Sequence, residues 1–294
     1  MKILVFGKSG QLGSQLFRDF RENKEFIFLK KSEADFCNPD ILKKIIFEIK
    51  PKVIINAAAY TNVDLAEKER DKAFIINGEA LRIISDAVKE IDALLIHFST
   101  DYVFDGKSDK PYKENEMTNP INQYGNSKLL GEKYIINSGC KFIIFRISWV
   151  ISSSGNNFIS KIFDLSKKNS ELNVVSDQIG VPTSTHFITR ILKEFLKESF
   201  LNKQEIYHLV PDGSTSWYEI SQKVVSFLES QNQKVLLKSN NINPVKTKDF
   251  KTKARRPLNS LLSNAKIKED LSLELENWEL GLNKILKDLT ENKY

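Results

Sequence analysis

Three side chains carry the chemistry that this sequence suggests. Thr100 lies in "HFSTDYVFDG", and Tyr124 and Lys128 lie in "QYGNSKLLGEK". A tyrosine and a lysine four residues apart sit one turn apart on a helix and share a face. A phenol with a pKa of ~10 is a weak acid at rest, but it can give up its proton when its anion is stabilised, and a neighbouring ammonium does that. A hydroxyl such as that of Thr100 can hydrogen-bond a carbonyl oxygen and polarise it. Together the three groups suit the reduction of a carbonyl, which takes hydride at carbon and a proton at oxygen. The same lysine can also hold a ribose. The spacing alone is common on solvated helix faces, so its meaning depends on the elements that position it.

Those elements are legible as alternating patterns. "KILVF" (2–6), "FIFL" (26–29), "KVIINAAA" (52–59), "ALLIHFS" (93–99) and "KFIIFR" (141–146) read as buried strands. Helical patterns cover 10–22, 39–49 (opened by Asn38-Pro39), 71–90 and 122–137. Short apolar strands alternating with such helices imply βαβ units. The expected fold is α/β, a Rossmann-like doubly wound parallel sheet with a smaller mixed α/β substrate domain. Ligands of such sheets bind at the carboxyl ends of strands, where Ser99, Thr100 and Tyr102 fall. The second half is less regular. Helices are expected near 156–169, 186–198, 216–230 and 277–290, with short strands at "LNVVS" and "EIYHL". The expected division is 1–146 for a dinucleotide-binding domain and 147–294 mainly for a substrate domain, the chain returning to the first within 156–210.

"VFGKSGQLGSQL" places Gly7, Gly10 and Gly13 directly after a strand and at the start of a helix. Glycine permits the tight turn and the close approach of a diphosphate, and the helix amino end offers free N–H groups. Gln11 and Leu12 inside this loop are expected to share in the contact. After the second strand, where an acidic residue would accept bonds from a ribose, stand Lys30 and Lys31. Two cations favour a 2′-phosphate if they face the ligand, and otherwise they face water. The cofactor expected is therefore NADPH, with NADH as the alternative. The small Ala57, Ala58 and Ala59, followed by Tyr60, would let a cofactor lie against backbone.

Composition narrows the setting. The chain has 294 residues, 41% hydrophobic and 28% charged, which is globular and suits one large or two moderate domains. No run reaches the ~20 apolar residues of a membrane span. "MKILVFGKSG" reads as a strand rather than a signal peptide. Cys37 and Cys140 have no metal-ligand spacing, and reduced thiols fit a cytoplasmic location. The net charge of +6 is spread along the chain, and its densest run is "KTKDFKTKARRP" (246–257). That run is either a solvated loop or a cationic rim for an anionic ligand such as a diphosphate. No aromatic-basic stacking motif or zinc signature accompanies it, which argues against nucleic acid.

The GxxGxxG spacing of the glycines is similar to that of the extended short-chain dehydrogenase/reductases. The longer match is more specific. "FGKSGQLG", "INAAAYTNVDLAEKE", "STDYVFDG", "YGNSKLLGE", "FRISWV", "VVSDQIGVPTS", "YHLVPDGSTSWYE", "ARRPLNS" and Trp278 follow in consistent order from Lys2 to about Leu289. In these the chain resembles the dTDP-4-dehydrorhamnose reductase family. The resemblance implies that Thr100, Tyr124 and Lys128 are catalytic. It implies reduction by NAD(P)H of the C4 ketone of dTDP-4-dehydro-6-deoxy-L-mannose, in dTDP-rhamnose and polysaccharide biosynthesis. It places Asp35 and Phe36 at the adenine, and Val63, Tyr102 and Trp149 around the sugar. A Trp149 ring face could cover the sugar's methyl group, and a core aromatic at a domain junction is the alternative. Arg255 and Arg256 could meet the diphosphate or form salt bridges. Related sugar dehydratases carry an acidic pair after the Ser/Thr. Here Asp101 is followed by Tyr102, which favours reduction over elimination. The alternatives are a reductase of a related nucleotide 4-keto-6-deoxysugar, a non-catalytic NADP-binding regulatory subunit, and an epimerase. The chain departs from the family at "ISSSGNN" (151–157), a loop that flanks the substrate in relatives. Some relatives bridge a dimer through Mg²⁺ held by glutamates, at positions that match Gln15, His186 and Asp288. One carboxylate in place of three gives too few hard oxygen ligands, so no metal site is expected. The expectation is a monomer or a homodimer without a metal bridge.

Overall fold

A strand that is apolar at every position must be covered on both faces, because successive side chains point to opposite sides. The computed structural model, which describes residues 1–291, shows this in β1 (Ile3–Phe6). Ile3 and Val5 enter one core, and Leu4 and Phe6 enter another. β1 joins β2 (Phe26–Leu29), β3 (Val53–Asn56), β4 (Leu94–Thr100), β5 (Lys141–Ile147) and β6 (Gln204–His208) in a six-stranded sheet of order β6-β5-β4-β3-β1-β2. All five pairings are parallel. The order reverses between β1 and β3, so the glycine turn after β1 and the "NAAAYT" turn after β3 flank the switch point where such sheets bind ligands.

On one face lie α1 (Gln11–Phe20) and the helix Thr185–Phe195, which pack on each other and contribute Leu12, Leu16, Phe187, Ile191 and Phe195 to the core. On the other lie α2 (Pro39–Ile49), α3 (Arg70–Phe74 and Ala80–Glu90, joined by a π-helical turn Ile75–Glu79) and α4 (Gln123–Ser138). The pattern over 71–90 predicts an unbroken helix. The structure inserts the π turn, and this turn packs on α4. The third strand, expected through Ala59, ends at Asn56. The Asn56 side chain accepts the Ala58 N–H at 3.0 Å and turns the backbone out of the sheet.

In the second half, "EIYHL" forms most of β6 and extends the main sheet beside β5. "LNVVS" pairs as Leu172–Val175 with Ile242–Val245, in a separate two-stranded parallel piece. A further core holds Trp149, Ile159, Val174, Val224, Leu228, Ile242 and Trp278. No helix among the described residues is long and apolar enough to cross a membrane.

Candidate active site

The glycine turn is a backbone-on-backbone contact. Gly7 has φ +87°, and a Cβ placed on it would lie 2.6 Å from the carbonyl carbon of Ala57. A Cβ on Gly13 would lie 1.9 Å from the Gly7 carbonyl oxygen. Gly10 is the N-cap of α1 and brings no side chain to it, so the first N–H groups of the helix, from Gln11 onward, are left for a ligand. The donor set and the bare backbone fit the diphosphate of a dinucleotide. The "ISSSGNN" loop reaches this turn. The Ser152 hydroxyl donates to Gln11 Oε1 at 3.0 Å, and the Ser14 and Ser154 hydroxyls lie 2.9 Å apart. The departure from the family therefore touches the cofactor side of the cleft, although sequence alone places it beside the substrate.

The other expected cofactor contacts are spread along the same edge. Lys30 and Lys31 are exposed after β2, and the Lys30 N–H donates to Glu33 Oε2 at 2.9 Å. Asp35 Oδ1 accepts the Cys37 N–H. Phe36 is buried and packs edge-on against Phe6 at 5.5 Å, so its ring belongs to the core. Ala57, Ala58 and Ala59 line the turn after β3, and the Tyr60 hydroxyl donates to Glu69 at 3.3 Å.

The reacting groups come together where β4 ends and α4 begins. Thr100 Oγ1 donates to Asp101 Oδ1 at 3.0 Å and accepts the Tyr102 N–H at 3.1 Å. The Tyr102 and Tyr124 rings meet edge to face at 5.7 Å. Burial pushes the Tyr124 phenol above its ordinary pKa. A hydrogen bond with Thr100 opposes the shift, and the Asp101 charge adds to it. Tyr124 therefore holds its proton at neutral pH. Lys128 is 1% exposed, and its Nζ donates to the Phe98 carbonyl at 2.7 Å and lies 3.2 Å from His97 Nε2. Both contacts go to β4, and neither is to the Tyr124 phenol. Burial lowers its pKa to about 7, with Glu132 opposing the shift.

Asp101 is buried. Burial pushes its carboxyl up to about 7, opposed in part by hydrogen bonding with Ser260 and then Thr100. An acid whose pKa is raised on folding contributes stability at low pH, and this is lost as pH rises from the unfolded value of 3.8 towards about 7. Asp101→Asn removes the titration. Relative to wild type, its unfolding free energy by denaturant titration should be higher at pH 8 than at pH 5 by ~2 kcal/mol.

Several residues of the site carry no motif. Asn77, in the π turn, accepts the Tyr60 N–H at 2.8 Å and donates to the Tyr60 carbonyl and to Ser127 of α4. It ties the "NAAAYT" turn to the helix that bears Tyr124 and Lys128. Asn122 caps α4 through the Gly125 N–H at 2.8 Å and donates to the Arg255 carbonyl at 2.9 Å. Asp64 accepts the backbone N–H groups of Lys253 and Ala254. It also pairs with Arg256 at 2.8 Å, and Arg256 reaches the Tyr102 hydroxyl at 3.3 Å. The basic run is thus strapped beside Val63 and Tyr102. Arg256 is engaged in an ion pair, and the Arg255 side chain is exposed. A double-mutant cycle with Asp64→Asn and Arg256→Gln should show a coupling of ~1 kcal/mol in chemical unfolding, since the pair is only partly exposed.

Trp149 differs from the sugar-covering role expected of it. Trp217 stacks on its indole with ring centroids 3.8 Å apart. A Cβ on Gly180 would come within 3.0 Å of both fusion carbons, which puts Gly180 over the opposite face. With both faces covered, Trp149 can offer a sugar only its edge. Its own φ of 45° is held by this packing.

The three positions matched to a metal bridge are paired among protein groups. His186 Nε2 lies 2.7 Å from Asp288 Oδ2, and Gln15 Nε2 donates to Asp19 at 2.9 Å. No group of three or more His, Cys, Asp or Glu that could hold a metal occurs among the described residues.

A parallel sheet with a glycine turn at its switch point, faced by a helix bearing a Tyr-Lys pair, is the architecture of the extended short-chain dehydrogenase/reductase oxidoreductases. Comparison with known proteins narrows the class. The family model described as "RmlD substrate binding domain" matches residues 1–291. The dTDP-4-dehydrorhamnose reductase of Burkholderia thailandensis is 37% identical over 98% of this chain and 99% of its own length. That of Escherichia coli K12 is 38% identical over 98% of each. The crystal structure of the Bacillus anthracis dTDP-4-dehydrorhamnose reductase in complex with NADP superposes with a TM-score of 0.88 and 35% identity, covering 97% of this chain and 99% of that one. The chain belongs to the dTDP-4-dehydrorhamnose reductase family.

Proposed function

We propose that this protein reduces the C4 ketone of dTDP-4-dehydro-6-deoxy-L-mannose to give dTDP-L-rhamnose, with NADPH as the favoured cofactor and Tyr124 as the proton donor. The observation that carries this reading is a half-buried phenol that keeps its proton, set beside Thr100 where β4 ends and α4 begins. Full-length identity to reductases named for this substrate supports the choice of sugar. The bound nicotinamide cofactor supplies the hydride. Gly7, Gly10, Gln11, Leu12 and Gly13 would hold its diphosphate, and Ala57 to Ala59 would let it lie close to the turn. Lys30 and Lys31 would favour a 2′-phosphate, in line with the NADP bound to the Bacillus anthracis relative.

The chain's own groups do the rest. Tyr124 passes its phenolic proton to the oxygen of the reduced carbon. Thr100 orients that oxygen once its hydroxyl is released from Asp101. Protonation of Asp101 near neutral pH permits this release, because a carboxylic acid can donate to Thr100 rather than accept from it. Lys128 would hold the nicotinamide ribose and stabilise the phenolate of Tyr124. Tyr102 and Val63 border the sugar, and the strap at Arg256 closes that side. The segment 147–294 supplies most of the substrate-binding unit, while β6 and the helix Thr185–Phe195 belong to the sheet unit. Two free thiols, Cys37 and Cys140, fit a cytoplasmic reaction.

The test is NADPH oxidation, followed by absorbance, with enzymatically prepared dTDP-4-dehydro-6-deoxy sugars. Oxidation with dTDP-4-dehydro-6-deoxy-L-mannose and formation of dTDP-L-rhamnose are expected. Absence of oxidation with every such sugar would sink the reading in favour of a regulatory subunit.

A further inference from the structure

A polar pair on two fully buried neighbouring strands, one at the end of β3 and one in the middle of β4, needs a reason. Asn56 and His97 are neighbours in the β3–β4 register, and they are 1% and 0% exposed. Their hydrogen bonds form a directed chain. The Ala58 N–H donates to Asn56 Oδ1 at 3.0 Å, which settles how the amide is turned. Asn56 Nδ2 therefore points its hydrogens at His97 Nδ1, 3.1 Å away. A ring nitrogen that accepts carries no proton, so the proton of a neutral imidazole sits on Nε2. Nε2 lies 3.2 Å from Lys128 Nζ. An ammonium cannot accept a hydrogen bond, whereas an amine can. The amine still has hydrogens to give, and one goes to the Phe98 carbonyl at 2.7 Å.

We propose that Asn56 and His97 are positioning residues that act as a buried relay, holding Lys128 as a neutral amine against the Phe98 carbonyl. In this arrangement each of the three contacts along the chain pairs a donor with an acceptor. The reverse imidazole tautomer would set Nδ1–H against the Asn56 amide hydrogens. The groups around Lys128 agree with this assignment. Burial holds His97 well below its ordinary pKa, so it stays neutral. Glu132, on the same helix, would favour an ammonium, but Arg146 of β5 pairs with it at 2.7 Å. The remaining titratable groups at this end, Tyr124 and Asp101, contact Thr100 and Tyr102. The consequence for turnover rests on the active-site reading of Lys128. The amine would take a proton from solvent water as a ribose and a developing phenolate offer its hydrogens acceptors, so that its charge appears when it is needed.

The experiment is nuclear magnetic resonance of the cofactor-free protein, so failure of the proposed reaction would not affect it. Long-range ¹H–¹⁵N spectra of the imidazoles, with His97 assigned from the His97→Phe spectrum, should show protonated Nε2 and bare Nδ1 across neutral pH. Protonated Nδ1, or an imidazolium, would overturn the proposal. In Asn56→Asp the carboxylate should capture Nδ1–H and invert the tautomer, and the Lys128 titration midpoint, read from labelled lysine, should rise by ~1 unit or more. His97→Phe should raise the midpoint in the same direction. An unchanged midpoint in the folded variants would also overturn the relay, and if neither variant folds the wild-type tautomer decides alone.

Discussion

Tyr124→Phe should lower kcat by about 10²- to 10⁴-fold, the usual contribution of a positioned general acid. The fold should survive. The Tyr124 ring meets Tyr102 edge-on at 5.7 Å, and phenylalanine keeps that contact. The helix around it is held by other groups, namely the Asn122 cap, the Asn77–Ser127 bond and the Lys128–Phe98 bond. The loss is therefore expected in kcat, with NADPH affinity and unfolding temperature close to those of wild type. Steady-state kinetics together with cofactor titration would check this. A Tyr124→Phe protein with wild-type kcat would remove the proton-donor assignment.

Gly13→Ala should be the most damaging single change in the cofactor turn. The added carbon would lie 1.9 Å from the Gly7 carbonyl oxygen, and backbone cannot swing aside as a side chain can. Gly7 is itself pressed against Ala57, so α1 would have to move out from the sheet and take Leu12 and Leu16 with it. A loss of about 1–3 kcal/mol in unfolding free energy is expected, as for other overpacked sites. NADPH affinity should fall more than about tenfold, since the N–H groups of α1 would no longer lie where the turn presents them. Gly10→Ala is the internal control. Its Cβ would meet the Gly7 oxygen at 3.4 Å, with backbone that any residue adopts, and stability should change by less than about 1 kcal/mol. Thermal unfolding with and without NADPH would compare the two. Equal effects would mean that close packing of the turn is not what Gly13 provides.

The order of strands and helices, the glycine turn and the Tyr-Lys spacing were all legible in the sequence. They depend on local properties, namely alternation along a strand, the 3.6-residue period and the freedom of glycine to approach backbone. Even "EIYHL" read correctly as a strand. A return of the chain to the first domain within 156–210 was expected, but that this strand pairs with β5 could not be read, because partner choice is made across some sixty residues of intervening chain.

The residues that act on the reacting groups from behind were not legible in the same way. Asn56 and His97 appear in sequence only as polar interruptions of two apolar runs. Strand register puts them side by side, and the crossing of α4 sets Lys128 against them. Asn77 enters the site because a π turn rotates it inward, although the sequence reads as ordinary helix. For Trp149 the sequence left a sugar-facing ring and a core aromatic open, and Trp217 and Gly180, from later segments, close over both sides of its ring. The sequence by itself determined which chemistry the chain can carry, since side-chain type and backbone freedom are properties of single residues and short runs. The tertiary structure alone decided which proton sits on which atom and which face of a ring is open, since burial and hydrogen-bond partners are supplied by distant parts of the chain.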